Sequence, residues 1–318
     1  MTALLGLAAM AIAGATPASS ASDDLLALRD LDQRVAEVGY RLARAATPFC
    51  AERVPLSGLV LHGIEQYGAP SREAARRTFG LGDELAVLLV VRGSPAEAAG
   101  LRAGDALLAI DGRAVRAPAG SGEATARVEA ATRAIEQSPG AALGLDVMRG
   151  GVRQTISFTP DRGCATQFWV EPSPRLGAEA DGHEVEITSG YVERAAGDAA
   201  LAIVLAHELA HNILRHRARL DRAGAHHGVG RYFGRSAGLS RAAELEADRL
   251  SVPITGCAGY SLDDALAFRE RLWRDRLADA LLRAPDHPGA RQRLDAIREE
   301  VARFRADPAP CSGPAAGR

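Results

Sequence analysis

"ALAIVLAHELAHNILRH", residues 200–216, decides how this chain is read. Its apolar positions Leu201, Val204, Leu205 and Leu209 predict a buried or cleft-lining helix near 198–218. His207 and His211 stand one helical turn apart, so both imidazoles leave the same face. Two imidazoles on one face can hold one metal ion. Glu208 follows the first and projects toward the same side, where it can hold a water. A histidine on an apolar face is ordinarily a satisfied core residue, so the pair needs a third partner before it counts as a site.

Catalytic zinc keeps three protein ligands and one water. The stretch "LSRAAELEADRL", residues 239–250, offers the missing partner. Ser240 can cap a helix over 240–251. Glu244 and Asp248 are again four apart and share a face. One carboxylate can bind zinc while the other orients a ligand histidine. Glu246 falls elsewhere on the wheel and reads as a solvated charge. His216 lies one turn plus one residue past His211 and reads as off the metal face. His62 and His183 have no partner pattern, and His226 and His227 sit in the glycine-rich stretch 221–239, a candidate lid.

His207-Glu208-x-x-His211 followed by Glu244-x-x-Ala247-Asp248 resembles the signature of gluzincin metallopeptidases related to the CAAX prenyl protease and the heat-shock protease HtpX. The likeness covers about residues 180–300. It takes in "ITSGY" (187–191) upstream and "DHPGARQRL" (286–294) downstream. The resemblance implies one zinc ion per chain on His207, His211 and Glu244, with Glu208 as general base and Asp248 in support. It also implies that His287 and Arg293 lie near the substrate oxyanion. A polypeptide substrate is expected to lie extended against a strand near Glu184–Thr188, by strand addition. Membrane members of that family carry transmembrane helices. No stretch after the first residues here reaches 18 uncharged apolar residues, which puts prenylated or membrane-embedded substrates in doubt.

Residues 55–160 have a different texture. "LSGLVLHGI", "ELAVLLVV", "ALLAIDG", "LGLDVMRGG" and "RQTISFTP" are strand-like runs bounded by glycine and proline, with one helix at "GEATARVEAATRAIEQ". Between them, "GSPAEAAGLRAGDALLAIDGRAV" (93–115) resembles PDZ domains of the bacterial HtrA type. Ser94 and Pro95 can start a short helix and Gly100 can end it. Gly104-Asp105 can turn the chain into a strand, and Asp111-Gly112 suits a hairpin. PDZ domains bind an extended peptide beside a helix and often capture its terminal carboxylate. The resemblance implies such a loop near Ser57-Gly58-Leu59. A spacer role is the competing reading.

Composition narrows the chemistry. All 38 basic residues are arginine, which excludes a Schiff-base lysine and a P-loop lysine. The net charge of −2 points to neither nucleic acid nor an anionic membrane. Residues 1–21 read as a signal peptide, so the mature protein is expected to be exported, periplasmic or secreted, with no integral membrane segment. Four cysteines, Cys50, Cys164, Cys257 and Cys311, allow three pairings. Cys50–Cys164 with Cys257–Cys311 is favoured, because each pair brackets one unit. No CxxC spacing supports a cysteine zinc site.

The expected layout is a leader (1–21), an N-terminal helix (22–50), a β-rich PDZ-like domain (51–164) and a zinc metalloprotease domain (165–318). The N-terminal helix shows apolar spacing at Leu25, Leu28, Leu31, Val35, Val38 and Leu42. The fold class is α+β: a mainly helical zincin-type domain with a small sheet, preceded by the β-rich unit. The expected function is an exported zinc endopeptidase for unfolded or extended polypeptides. The alternative is a chaperone-like polypeptide binder that does not routinely cleave.

Overall fold

A computed structural model describes residues 20–116, 124–139, 141–224, 234–278, 289–308 and 311. The expected leader lies outside them up to residue 19. Helix α1 (Ala21–Ala45) begins on a reciprocal cap: Ser20 Oγ accepts from Asp23 N, and the Asp23 carboxylate accepts from Ser20 N. This helix has two buried stripes. Val35, Val38 and Leu42 join one core, while Ala36, Tyr40 and Ala43 join another. A helix apolar on two sides must pack between two bodies, and α1 does so.

The first body contains β1 (Arg53–Leu56), β2 (Leu59–His62), a 3₁₀ turn (Ile64–Gln66), α2 (Ala69–Phe79), β3 (Leu85–Val90) and α3 (Pro95–Ala98). It continues through β4 (Ala106–Ile110), β5 (Arg113–Ala114), α4 (Ala126–Glu136), β6 (Leu143–Arg149) and β7 (Val152–Phe158). The sheet order is β2-β3-β4-β6-β7, antiparallel throughout, with β5 paired to β4. Leu143, Leu145 and Val147 alternate along β6 and are wholly buried beside Leu85 and Leu107.

The expected punctuation holds here. Ser94 Oγ caps α3 by accepting from Glu97 N, and Pro95 is its first residue. Asp111 and Gly112 both have positive φ, 48° and 74°, as a two-residue hairpin between right-twisted strands requires. Asp105, 1% exposed, is held by Arg149 through two bonds of 2.6 Å.

Strand β8 (Asp161–Cys164) returns to pair with β1 in the register Arg53↔Cys164, so the end of this body lies against its beginning. The Cys50–Cys164 disulfide closes that junction, and Cys257–Cys311 forms the second. These are the two bridges favoured from the sequence.

The second body has a three-stranded sheet, β9 (Gln167–Glu171), β10 (Ala178–Ala180) and β11 (Glu184–Thr188), in the order β10-β11-β9. Helices α5 (Ser189–Arg194), α6 (Asp198–Ile213), α7 (His216–Arg222), α8 (Gly234–Cys257), α9 (Leu262–Ala278) and α10 (Ala290–Ala306) follow. The whole is mixed α+β, as expected. Buried residues crowd nearly every side of α6, which makes it the central helix.

Two expected helix boundaries are corrected. The helix expected over 198–218 is two helices, because Arg215 adopts a left-handed φ of 52°. The helix expected over 240–251 runs 234–257 and passes through Pro253. Wholly buried Val252 and Ile254 outweigh the lost backbone bond at that proline. Residues 225–233 of the expected lid lie outside the described residues. Among the described residues no helix is long and apolar enough to cross a membrane.

Candidate functional site

Helix α6 turns His207, Glu208 and His211 toward a cleft of about 610 Å³. Helix α8 packs along α6 and brings Glu244 and Asp248; α10 brings Arg293. His207 Nε2 and His211 Nε2 are 3.2 Å apart. Glu244 Oε2 lies 3.5 Å from the first and Oε1 3.6 Å from the second. These three are the His/Cys/Asp/Glu group that could share a metal ion among the described residues.

Each imidazole is oriented from behind. Asp248, with no exposed side chain, places Oδ1 3.0 Å from His207 Nδ1, although the N–H is off the line to that oxygen. A carboxylate there favours the proton on Nδ1 and leaves the Nε2 lone pair toward Glu244. His216 Nδ1 lies 2.9 Å from His211 Nδ1, and His216 Nε2 lies 3.3 Å from Glu246 Oε2. With His216 donating to Glu246, its Nδ1 accepts from His211 Nδ1–H. His211 Nε2 then also faces Glu244 as a lone pair.

The latter arrangement corrects the expectation for His216, while Glu246 remains a partly exposed charge. His216 is 2% exposed and touches His211, and Glu246 is tied to both His216 and Arg219. A helical wheel drawn through 198–218 misses this, because the left-handed Arg215 turns α7 back toward α6. The sequence signal for such a turn is weak, since arginine does not favour that conformation.

The protonation tendencies follow from burial and neighbouring charge. Burial pushes the Glu208 carboxyl up; the charge of His207 opposes it by less, Glu244 adds to the rise, and Arg269 and Arg293 pull more weakly against it. Burial, then the charge of His207, pushes His211 down to about 3. Burial opposes charging His207, but Asp248 and Glu244 outweigh it and raise that group. Asp248 is held well below the carboxylate range despite burial, by His207 and Arg293.

Arg293 is enclosed rather than free. Its Nε and Nη2 donate to the two Asp248 oxygens at 2.6 and 2.8 Å, and Nη1 lies 2.9 Å from Glu244 Oε2. Nη2 is also 3.2 Å from His207 Nε2. His287 lies outside the described residues.

One wall of the cleft is β10, with Gly177 and Ala178 to Ala180 lining it. The strand expected to receive substrate, Glu184–Thr188, is β11, which has β10 on one side and β9 on the other. It has no open edge among the described residues, which overturns strand addition there; β10 is the edge strand of this sheet. Thr188 N donates to Gly177 O and Asp181 N donates to Glu184 O. Odd-numbered residues therefore bond β11, and Ala178 and Ala180 turn their backbone groups the other way.

The expected carboxylate loop, Ser57-Gly58-Leu59, sits at the head of β2, the edge strand of the larger sheet. Across from it are Thr132, Ile135 and Glu136 of α4, with a cavity of about 80 Å³ between. Tyr40 of α1 and Phe168 of β9 wall this cavity, and Gln167 donates to Glu136. Gly58 has φ 80°, and a Cβ there would stand 2.2 Å from Ser94 Cβ, so the loop's close approach to α3 requires glycine.

The edge strand, helix and glycine loop have the organisation of a peptide-binding module. The family model of the PDZ domain matches residues 87–128, from β3 into α4. The chain thus contains a PDZ domain, a class of module that binds peptides by strand addition. No curated protein matches the sequence.

Proposed function

We propose that this chain is an exported zinc-dependent endopeptidase of gluzincin type that cuts extended polypeptides, with a PDZ domain that engages substrate or partner peptides. One observation carries the reading. Donors about 2.1 Å from one tetrahedral centre stand about 3.4 Å from each other. His207 Nε2 and His211 Nε2 stand 3.2 Å apart, and each is approached by a different Glu244 oxygen, at 3.5 and 3.6 Å; with one atom taken from each residue, the three lie within 4.8 Å of one another. A turn of the Glu244 carboxylate that centres one oxygen between the two imidazoles would put His207, His211 and Glu244 at three corners of a zinc site. One contact counts against an easy fit: Arg293 Nη2 faces the same His207 nitrogen and must yield it.

Zinc, when bound, supplies Lewis acidity toward a water and a carbonyl. Glu208 accepts a proton from the attacking water and returns it to the leaving amine. A carboxyl raised by burial suits both halves of that task. Asp248 and His216 hold the imidazoles in position. Arg293 holds Asp248 and Glu244, and its nitrogens face those carboxylates. Substrate backbone pairs with Ala178 and Ala180 along the open edge of β10. The two disulfides fit an oxidising, extracytoplasmic compartment.

The binder reading predicts no metal-dependent cleavage at all. The deciding measurement is casein hydrolysis by zinc-loaded wild type and Glu208→Gln, with metal content by elemental analysis. Glu208→Gln is expected to keep one zinc per chain and lose at least about 10²-fold in rate. Equal rates would remove Glu208 as the base, and an inactive zinc-loaded wild type would favour the binder.

A further inference from the structure

Arg269, on α9, has no contact role in the mechanism above beyond its charge acting on Glu208, and it lines the cleft with Leu272 and Trp273. It is 5% exposed. Its Nη2 donates to Ile203 O at 3.2 Å, one turn before His207 on α6, and its buried Nε has no hydrogen-bond partner. Among the described residues no carboxylate lies within the 4.0 Å ion-pair distance of its guanidinium. Trp273 stands between it and Arg293, with guanidinium carbons 5.5 and 5.2 Å from the ring centroid.

The contrast between the two arginines carries the inference. Arg293 is neutralised by Asp248 and Glu244. Arg269 makes no ion pair, the charge of Glu208 reaching it only at longer range, and its buried Nε is a donor to spare. A desolvated cation without a directly paired carboxylate is costly, and an incoming anion in contact with it reduces that cost. Its planar fork matches a carboxylate in two-point contact.

We propose that Arg269 is the cleft's carboxylate receptor, so that the preferred peptide carries a carboxylate within reach of the cut bond. Either an acidic side chain or the peptide's own C-terminus supplies that group. The proposal deepens the peptidase reading and rests on the cleft being a peptide site.

The test measures binding, so it does not depend on turnover. Full-length Glu208→Gln protein, with and without zinc, is titrated with three kinds of alanine-based hexapeptide. One is acetylated and amidated; one is the same with a single glutamate, scanned through each position; one has a free C-terminal carboxylate. A charged hydrogen bond lost from a buried site corresponds to roughly 10- to 100-fold in affinity. One carboxylate peptide is therefore expected to bind tighter than the neutral one by that factor. Arg269→Met, of similar length without charge, is expected to abolish the difference, and Arg269→Glu to reverse it, so that the neutral peptide binds tighter than the carboxylate one. A gain with glutamate assigns an acidic side chain; a gain with the free terminus assigns terminal recognition. Equal binding of all three peptides, or a preference that survives Arg269→Met, overturns the proposal. Failure of the peptidase reading shows separately, as a zinc-loaded wild type that cuts nothing while the Arg269-dependent preference remains.

Discussion

At the scale of the residue, His216 stands behind His211 and, when it donates to Glu246, leaves Nε2 of His211 facing the cleft. Its Nδ1 meets His211 Nδ1 and its Nε2 meets Glu246. Replacement by phenylalanine keeps an aromatic ring and removes both contacts. His216→Phe is expected to lower zinc affinity by roughly 10- to 100-fold, the usual cost of losing an orienting partner. Chelator competition measures it, and unchanged affinity would reduce His216 to packing. His62 is a separate case, far from the cleft, with Nδ1 2.8 Å from Tyr67 Oη. Burial pushes it down to about 4 from 6.5. The folded state then binds fewer protons than the unfolded one between those values, so stability falls as pH drops from about 6.5 to about 4. Denaturant unfolding of His62→Leu is expected to show a shallower loss across that window than wild type, and parallel curves would contradict the assignment.

At the scale of the element, the edge position of β10 decides what a substrate can pair with. Ala178 turns its N–H away from β11, so proline there removes a donor facing the cleft and no ladder bond. Ala178→Pro is expected to lower kcat/KM on casein by roughly 10-fold, as for one lost hydrogen bond, with the unfolding midpoint close to wild type. An unchanged kcat/KM would count against pairing along β10. Helix α8 works by a different logic. The period that puts Glu244 and Asp248 on one face is local and legible in the sequence. Continuation through Pro253 is not, because burial of Val252 and Ile254 against other helices sustains it.

At the scale of the whole molecule, α1 joins the two bodies. Ala36, Tyr40 and Ala43 cover Leu89 and Val91 of the PDZ-containing body. On the other side, Arg34 donates to Val192 O and Ala195 O near the start of α6. A fragment of residues 52–164 lacks this helix and leaves Cys164 without Cys50. It is expected to be less stable than residues 20–164 by about 2–5 kcal/mol from the bridge alone. Urea unfolding of the two fragments measures the difference, and equal stability would show that α1 and the bridge are dispensable to that body. The same packing sets β9 beside the Ser57–Leu59 loop, so Phe168 walls the peptide cavity.

The sequence by itself determined the parts that depend on one segment. Helical period placed His207 with His211 and Glu244 with Asp248. Turn chemistry placed Asp111-Gly112, and the bracketing of two units by cysteine pairs anticipated both bridges. Only the tertiary structure decided what crosses between segments. It aligned α6 with α8 so that three donors converge, and it closed Arg293 onto Asp248. It returned His216 through a left-handed arginine, made β10 rather than β11 the edge strand among the described residues, and left Arg269 without an ion pair. The physical reason is range. A side chain's face within one helix follows from the 3.6-residue period, whereas its neighbours on other elements follow from how every apolar surface in the chain is buried at once.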